Sequence, residues 1–297
     1  MSIKKENLVF YYDGINNMGE GLPHDNNTTI WYDLSGNGNN ASVNGCMWGG
    51  DSVILEGNSS SPYTWVYCGN HTLPNASQAT LEMLCQTPIV GTNTMYMGGN
   101  GGNSASGSIY LAQYNNNYEG RSIASSLYSA AAPAVSKELA LLSVVVNGNS
   151  LRLYKNGVLA KETIASRNFS VNNTSYCFVI GGLSYSQNSI STGNMYRGRV
   201  FSHRLYSVAL TDEEISDNFD AEMERYNKAE AEVKDTDSVS KIKIKNEKTY
   251  NVKDTYSRIN KINKNEDDTV VGIINFINGI KINQANINYD NDVIIFS

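Results

Sequence analysis

The chain has 297 residues, enough for one large domain or one large and one small, and at 40% hydrophobic residues it can bury a core. Its charge is sparse and mildly acidic, 23 Lys and Arg against 29 Asp and Glu without a basic tract, which argues against a nucleic-acid partner. No apolar run approaches the roughly 20 residues of a membrane span, and the polar start Met1–Glu6 has no export-signal stretch, so neither a membrane partner nor secretion by a cleaved signal is expected.

Asn (39), Gly (25) and Tyr (19) dominate over Pro (5), a turn-rich and strand-prone composition that predicts an all-β chain. The densest motif comes first, in Tyr12-Asp13-Gly14 through Gly21 and Trp31-Tyr32-Asp33 through Asn40. Its short Asp and Asn side chains either close turns on their own backbone or gather oxygens around a hard cation such as Ca2+. If a cation binds, Asp13, Asp33 and Asn37 are its expected ligands. Cys46, Cys68, Cys85 and Cys177 lack Cys-x-x-Cys spacing and read as buried thiols. Gly98 to Gly102, with no helical pattern behind it, reads as a flexible loop.

Leu139 to Val146 has the length of a buried strand, and Leu151 to Lys155 alternates with period two. Asn156-Gly157 then predicts a hairpin into Val158-Leu159, because both residues accept the positive φ of a type I′ turn. Phe178-Val179-Ile180, Arg199-Val200-Phe201 and Arg204-Leu205-Tyr206 add short strands. The sum predicts a two-sheet antiparallel sandwich or jelly roll over residues 1–227. It closes with one helix, started by the capping box Thr211 to Glu214 and carrying an apolar stripe of Ile215, Phe219, Met223 and Tyr226.

Composition changes after Asn227: all Trp, Pro and Cys and 16 of the 19 Tyr precede it, and 22 of the 70 residues beyond it are charged. That shift predicts a linker over 228–240 and a small β-rich segment over 241–297. The segment alternates in Lys241 to Lys245 and carries turn signals at Asn278-Gly279 and Asp290 to Asp292. Its core is meagre for independent life, so self-association or docking on a larger assembly is expected.

No metal-ligand spacing, nucleophile elbow or phosphate loop occurs; Gly102-Asn-Ser104-Ala-Ser106 fails at its last position. The acids of the sandwich form no closely spaced pair for glycoside hydrolysis, so the chain reads as a non-enzyme. Loops in which Tyr and Asn occur together suit sugars, since rings stack on their apolar faces and amides bond their hydroxyls. The candidate ligand residues are Tyr96, Asn115, Asn117, Tyr118, Tyr185 and Tyr196, against the alternative that these tyrosines pack the sandwich.

Leu8 to Asn17, Trp31 to Asn39, Leu151 to Leu159, Ile180-Gly181-Gly182 and Arg197-Gly198-Arg199-Val200 through Ile215 together resemble the concanavalin A-like, laminin-G-type jelly-roll family, over roughly residues 7–226. The family implies the fold; its functions span sugar binders, protein binders, adhesion modules and structural domains. Val200-Phe201-Ser202-His203-Arg204 departs from the aspartate-led strand of many relatives, which puts any role of that acid in doubt. The opening motif and the Ile/Asn-rich tail are also similar to structural proteins of phages and phage-tail-like particles of AT-rich Gram-positive bacteria. That resemblance implies a virion-type attachment protein binding cell-surface carbohydrate, assembled in the cytoplasm, released by lysis, and joined to particle proteins and to copies of itself through 241–297. A fibre or decoration subunit without a specific ligand is the alternative, and a glycan hydrolase the third and least favoured reading.

Overall fold

The computed structural model describes residues 3–57, 63–91, 93–101, 107–172, 176–186, 189–191 and 193–236, then the strand residues 241–244, 248–251, 274–275, 281–282, 287–290 and 293–296. Side chains are described as far as residue 226, those of 184–188 excepted. The chain divides into two compact units, Met1–Glu224 and Arg225–Ser297.

The strands run in chain order as β1 (Leu8–Asp13), β2 (Ile30–Trp31), β3 (Ala41–Asn44), β4 (Met47–Trp48), β5 (Val53–Glu56), β6 (Trp65–Gly69), β7 (Gln78–Gln86), β8 (Met95–Asn100) and β9 (Ile109–Tyr114). There follow β10 (Asn117–Ile123), β11 (Leu127–Pro133), β12 (Leu139–Asn147), β13 (Ser150–Lys155), β14 (Val158–Ile164), β15 (Phe178–Ile180), β16 (Leu183–Ser186), β17 (Ser189–Ser191) and β18 (Arg197–Tyr206), then the helix α1 (Asp212–Thr236). Two eight-stranded sheets result. The first has the order β14-β13-β12-β7-β18-β5-β4, with β1 also pairing β18, and the second β11-β10-β9-β8-β15-β6-β3-β2. The predicted antiparallel sandwich with one following helix is what forms.

β7 and β12 are buried along nearly their whole length because both faces are covered. Leu81, Met83, Cys85 and Val144 join the core between the sheets, while Val145 faces a second cluster with Tyr154, Tyr206 and Ile215 of α1. A continuous apolar run such as Leu139 to Val146 is the sequence of a strand covered twice. β14, the outermost strand, is exposed and carries Lys161 and Glu162, which discourage pairing with another edge. It is joined to β13 through Asn156 and Gly157, at φ 53° and 78°, as the Asn-Gly signal predicts.

α1 begins as its capping box requires: Thr211 N–H donates to Glu214 Oε2 at 2.9 Å, and Glu214 N–H to Thr211 Oγ1 at 3.2 Å. Glu214 also accepts a bond from Lys4 Nζ. The expected stripe of Ile215, Phe219, Met223 and Tyr226 is corrected in part. Ile215, Asn218, Ala221 and Glu222 are the buried residues of the first turns. Arg204 of β18, fully buried, donates to Glu82 Oε2 of β7 at 3.0 Å and to Glu222 Oε2 at 2.9 Å. Glu82 also accepts from Ser143 Oγ at 2.8 Å and Asn218 Nδ2 at 2.9 Å. A charge this deep is tolerated only when paired and hydrogen-bonded, so the helix docks through polar groups that an apolar stripe does not reveal.

Two further expectations change. Gly98 and Gly99 are not a flexible loop but part of β8. A Cβ on Gly98 would lie 2.4 Å from Met83 Cε, and one on Gly99 (φ 130°) 2.3 Å from Ile109 O, so glycine here lets the chain approach its neighbours closely. Arg199 to Tyr206 is one strand and not two, interrupted by a register shift against β7 between Val200 and Ser202. Of the four cysteines, all free, Cys68, Cys85 and Cys177 are buried and Cys46 is partly exposed.

In the second unit, β19 (Lys241–Ile244), β20 (Lys248–Asn251), β21 (Ile274–Asn275), β22 (Lys281–Ile282), β23 (Ile287–Asp290) and β24 (Val293–Phe296) form a four-stranded sheet, β20-β19-β24-β23, and a β21–β22 pair. β19 and β24 run parallel. Residues 237–240 of the expected linker, Lys245, and the turn signals Asn278-Gly279 and Asn291-Asp292 lie outside the described residues, as does Gly102 to Ser106.

Candidate functional site

The outward face of the first sheet has two ends. One lies under α1; the other is open. At the open end, Ile54 of β5 opposes Arg199 of β18, and Arg199 opposes Gln86 of β7, so the three side chains form one row on the same face. Their chain neighbours Leu55, Val200 and Cys85 point inward to the core. One row further, Arg197 opposes Glu56. Pro88 and Lys137 complete a groove of about 580 Å³, with the backbone of Leu55 and Gly198 in its lining.

The side chains are held in different ways. Arg199 is fixed: Nε donates to Ser52 Oγ at 2.9 Å, Nη2 to Asp51 Oδ1 at 2.6 Å, and the guanidinium lies 4.9 Å from the Phe201 ring centre. Arg197 donates through Nε to the Glu56 carbonyl at 2.8 Å, and its Nη nitrogens have no partner among the described residues. Lys137, at φ 64°, is anchored by its backbone: its N–H donates to Thr87 O at 2.7 Å and its carbonyl accepts from Gln86 Nε2 at 3.1 Å. Its ammonium pairs with no carboxylate among the described residues. A Cβ on Gly198 (φ 154°) would lie 2.4 Å from Tyr196 Oη and 2.7 Å from Gln86 O, so glycine is required at the floor.

The residues expected to bind ligand fare differently. Tyr118 and Tyr196 are fully buried in the inter-sheet core, and Tyr196 Oη is bonded to Thr87 Oγ1 at 2.9 Å directly beneath the groove. Burial raises the pKa of both phenols. Tyr96 is buried on the outer face of the second sheet against Tyr110, ring centres 5.8 Å apart, with Ala112 and Leu183. All three are corrected from ligand loops to packing: Tyr96 and Tyr118 already lie within strands β8 and β10, and Tyr196, just before β18, turns its ring into the core. Asn115, with Asn116, makes the two-residue turn between β9 and β10 at φ 51° and 61°, and Asn117 Nδ2 donates to Asn115 O at 3.0 Å. The side chain of Tyr185, in β16, lies outside the described residues.

The oxygens of the opening motif are already used. Asp33 Oδ1 accepts from the N–H groups of Tyr11 and Ser35, both at 2.9 Å, and Oδ2 from Ser35 Oγ at 2.7 Å and Asn39 N–H at 2.9 Å. Asp13 caps Ile15 N–H at 3.2 Å and Asn16 Nδ2 at 2.6 Å, and Asn37 turns its Nδ2, not its oxygen, to Leu8 O at 2.7 Å. These residues build turns and do not fit a Ca2+ site. Among the described residues no three His, Cys, Asp or Glu side chains come together to hold a metal, and no helix is long and apolar enough to cross a membrane.

The groove offers hydrogen-bond donors, one carboxylate and cations around an apolar floor. The groove brings together one carboxylate, from Glu56, and not the facing pair of glycoside hydrolysis. Glu82 and Glu222 do converge, but on Arg204 beneath the helix, away from solvent. His203 is buried on the inner face, its Nδ1 2.9 Å from Glu82 O, and burial pushes its pKa down to about 3, so it is no proton shuttle to solvent. Sequence reading missed the groove because Ile54, Gln86, Lys137 and Arg197 are far apart in the chain, and only register joins them.

A family model described as the concanavalin A-like lectin/glucanases superfamily matches residues 51–216. No curated protein matches the chain significantly. Among solved structures, domain 4 of AbnA, a GH43 extracellular arabinanase from Geobacillus stearothermophilus, in complex with arabinotriose, is similar with a TM-score of 0.52 at 17% identity, over 71% of this chain and 98% of that one. The botulinum neurotoxin serotype D binding domain is similar with a TM-score of 0.52 at 12% identity, over 73% of this chain and 52% of that one. A botulinum neurotoxin DC binding domain in complex with rat synaptotagmin II gives 0.51 at 12% identity, over 73% and 52%. The chain thus spans about half the length of the toxin domains it matches, and these likenesses are likenesses of fold.

Proposed function

The chain belongs to the concanavalin A-like lectin/glucanases superfamily, and from that premise we propose that its first unit is a non-enzymatic carbohydrate-binding module whose ligand lies in the groove of β5, β7 and β18. The observation that carries this reading is the composition of the groove. Gln86, Glu56, Arg197, Arg199 and Lys137 present donors and acceptors around the apolar Ile54 and Pro88, in a volume within the roughly 300–1,000 Å³ of ligand sites. Sugars need that mixture, since hydroxyls demand paired polar partners while ring faces demand apolar ones. The groove is also mounted on strands of a packed sheet, so its polar groups are largely fixed before a ligand arrives. The arabinotriose complex of a domain with a similar fold supports the ligand class.

In this reading the protein is a virion-type attachment protein on a phage or phage-tail-like particle, and the segment 241–297 serves self-assembly or attachment to particle proteins. The strand-rich second unit supports an assembly role, and the sequence resemblance supports the setting. One preparation of the full chain tests the whole reading, by binding to cell walls and a glycan panel, by assay for released reducing ends, and by sedimentation. Saturable binding that falls at least tenfold in Gln86→Ala/Arg197→Ala, no product, and an oligomer are expected. Unaltered binding in the double variant would remove the groove from the reading. Absence of binding anywhere would leave a purely structural fibre or decoration subunit.

A further inference from the structure

The first unit contains eleven Lys and Arg against eighteen Asp and Glu. In so acidic a domain a cation normally finds a carboxylate, and seven of the eleven do. The four that form no ion pair among the described residues are Lys137, Lys161, Arg167 and Arg197. Two of these, Lys137 and Arg197, line the one groove, together with Arg199. Lys161 and Arg167 are exposed residues outside it.

These cations are also placed. Backbone bonds hold the Lys137 main chain at the wall, and the Nε–H bond of Arg197 to Glu56 O leaves the outer edge of its guanidinium without a partner among the described residues, the edge that binds carboxylates and other oxyanions through two parallel bonds. Arg199 is already paired with Asp51, so it adds a fixed donor and not a new unpaired charge. Among the described residues the only carboxylate in the lining is Glu56. A groove for a neutral sugar has no use for two unsatisfied cations in a domain of net negative charge.

We infer that the groove takes a saccharide bearing an anionic group, either a carboxylate or a sulfate or phosphate ester, with Arg197 and Lys137 as the anion's partners and Gln86 and Arg199 on neighbouring hydroxyls. This rests on the proposal that the groove binds carbohydrate, and it adds the ligand's charge.

The test uses the full chain and two matched pairs of polymers: polygalacturonate against its methyl ester, and dextran sulfate against dextran. Each pair keeps the sugar and removes the charge. Binding is measured at two salt concentrations for the unaltered chain, for Lys137→Gln/Arg197→Gln, and for Lys161→Gln/Arg167→Gln, which loses the same charge elsewhere. A preference of at least about tenfold for a charged polymer over its neutral partner, lost in the groove variant and kept in the control variant, is expected from charge-assisted bonds. The pair that shows the preference distinguishes carboxylate from ester. Equal binding of charged and neutral partners would overturn the inference while leaving sugar binding intact. An equal loss in both variants would overturn it too, because general charge and not the groove would then be responsible. Failure of every polymer and every glycan would remove both readings.

Discussion

The single strand β18 carries two arginine environments on one face of one sheet. At its α1 end Arg204 is fully buried and shared between two carboxylates. At its open end Arg199 keeps a side chain 36% exposed beside one carboxylate, and Arg197 pairs with none among the described residues. The same residue type therefore has opposite meanings within eight positions. Where the guanidinium is removed from water, the chain supplies its counter-charges, and Glu222 and Glu82 outweigh the burial that would otherwise lower its pKa, raising it well above its ordinary value. Where the cation stays wet, the chain leaves it incomplete. The first arrangement attaches a helix; the second leaves bonding capacity for something outside.

Breaking the covered end gives the largest effect. Arg204→Met strands two buried carboxylates, so unfolding by denaturant should show a loss of about 3–5 kcal/mol. The triple change with Glu82→Gln and Glu222→Gln should recover much of it; a triple variant no more stable than the single would mean that the ions are not what couples α1 to the sheet. A pH titration sharpens the comparison at intermediate size. His203 neighbours Arg204 but faces inward, and burial holds it neutral down to about pH 3. The unfolded chain takes up that proton below about pH 6.5, its ordinary value. Unfolded protein then binds more protons, so the stability contributed by the neutral imidazole is full above that pH and declines as pH falls toward 3. His71, also lowered by burial, adds in the same direction. His203→Asn should flatten the decline, measured as Tm between pH 7 and 4, and an unchanged slope would assign it to the carboxylates. The smallest effect is at the open end: Lys137→Gln/Arg197→Gln should alter stability by no more than about 0.5 kcal/mol. A larger loss would show that these cations hold the fold together, and the contrast along β18 would collapse.

What the sequence disclosed follows the range of its signals. Asn156-Gly157 and the Thr211–Glu214 box act over two to four residues, and both form as read. Alternation and the unbroken Leu139 to Val146 run disclosed the sandwich because burial acts on every second residue, or on all of them in a strand covered twice. The helix contact was half legible, since Ile215 is apolar while Asn218 and Glu222 dock only because β7 and β18 bring Glu82 and Arg204 to meet them. The tyrosines were misplaced for a related reason. Asn beside Tyr marks a turn, but a two-residue turn such as Asn115-Asn116 leaves the next residue already in a strand, and Tyr118 packs into the core between the sheets. The groove had no local signal at all, because its side chains become neighbours only through the register of three strands.

The register shift in β18 has one more consequence. Arg199 and Arg204 are five positions apart, an odd number, and in an unbroken pleat residues an odd number apart face opposite ways. Both face outward here because Phe201 is the extra residue between Val200, which pairs with Cys85, and Ser202, which pairs with Leu84. One surplus amino acid thus sets the parity of the strand. Removing it would aim one of the two guanidinium groups into the core between the sheets, so the open groove and the anchored helix coexist on one surface only while that half-step is kept.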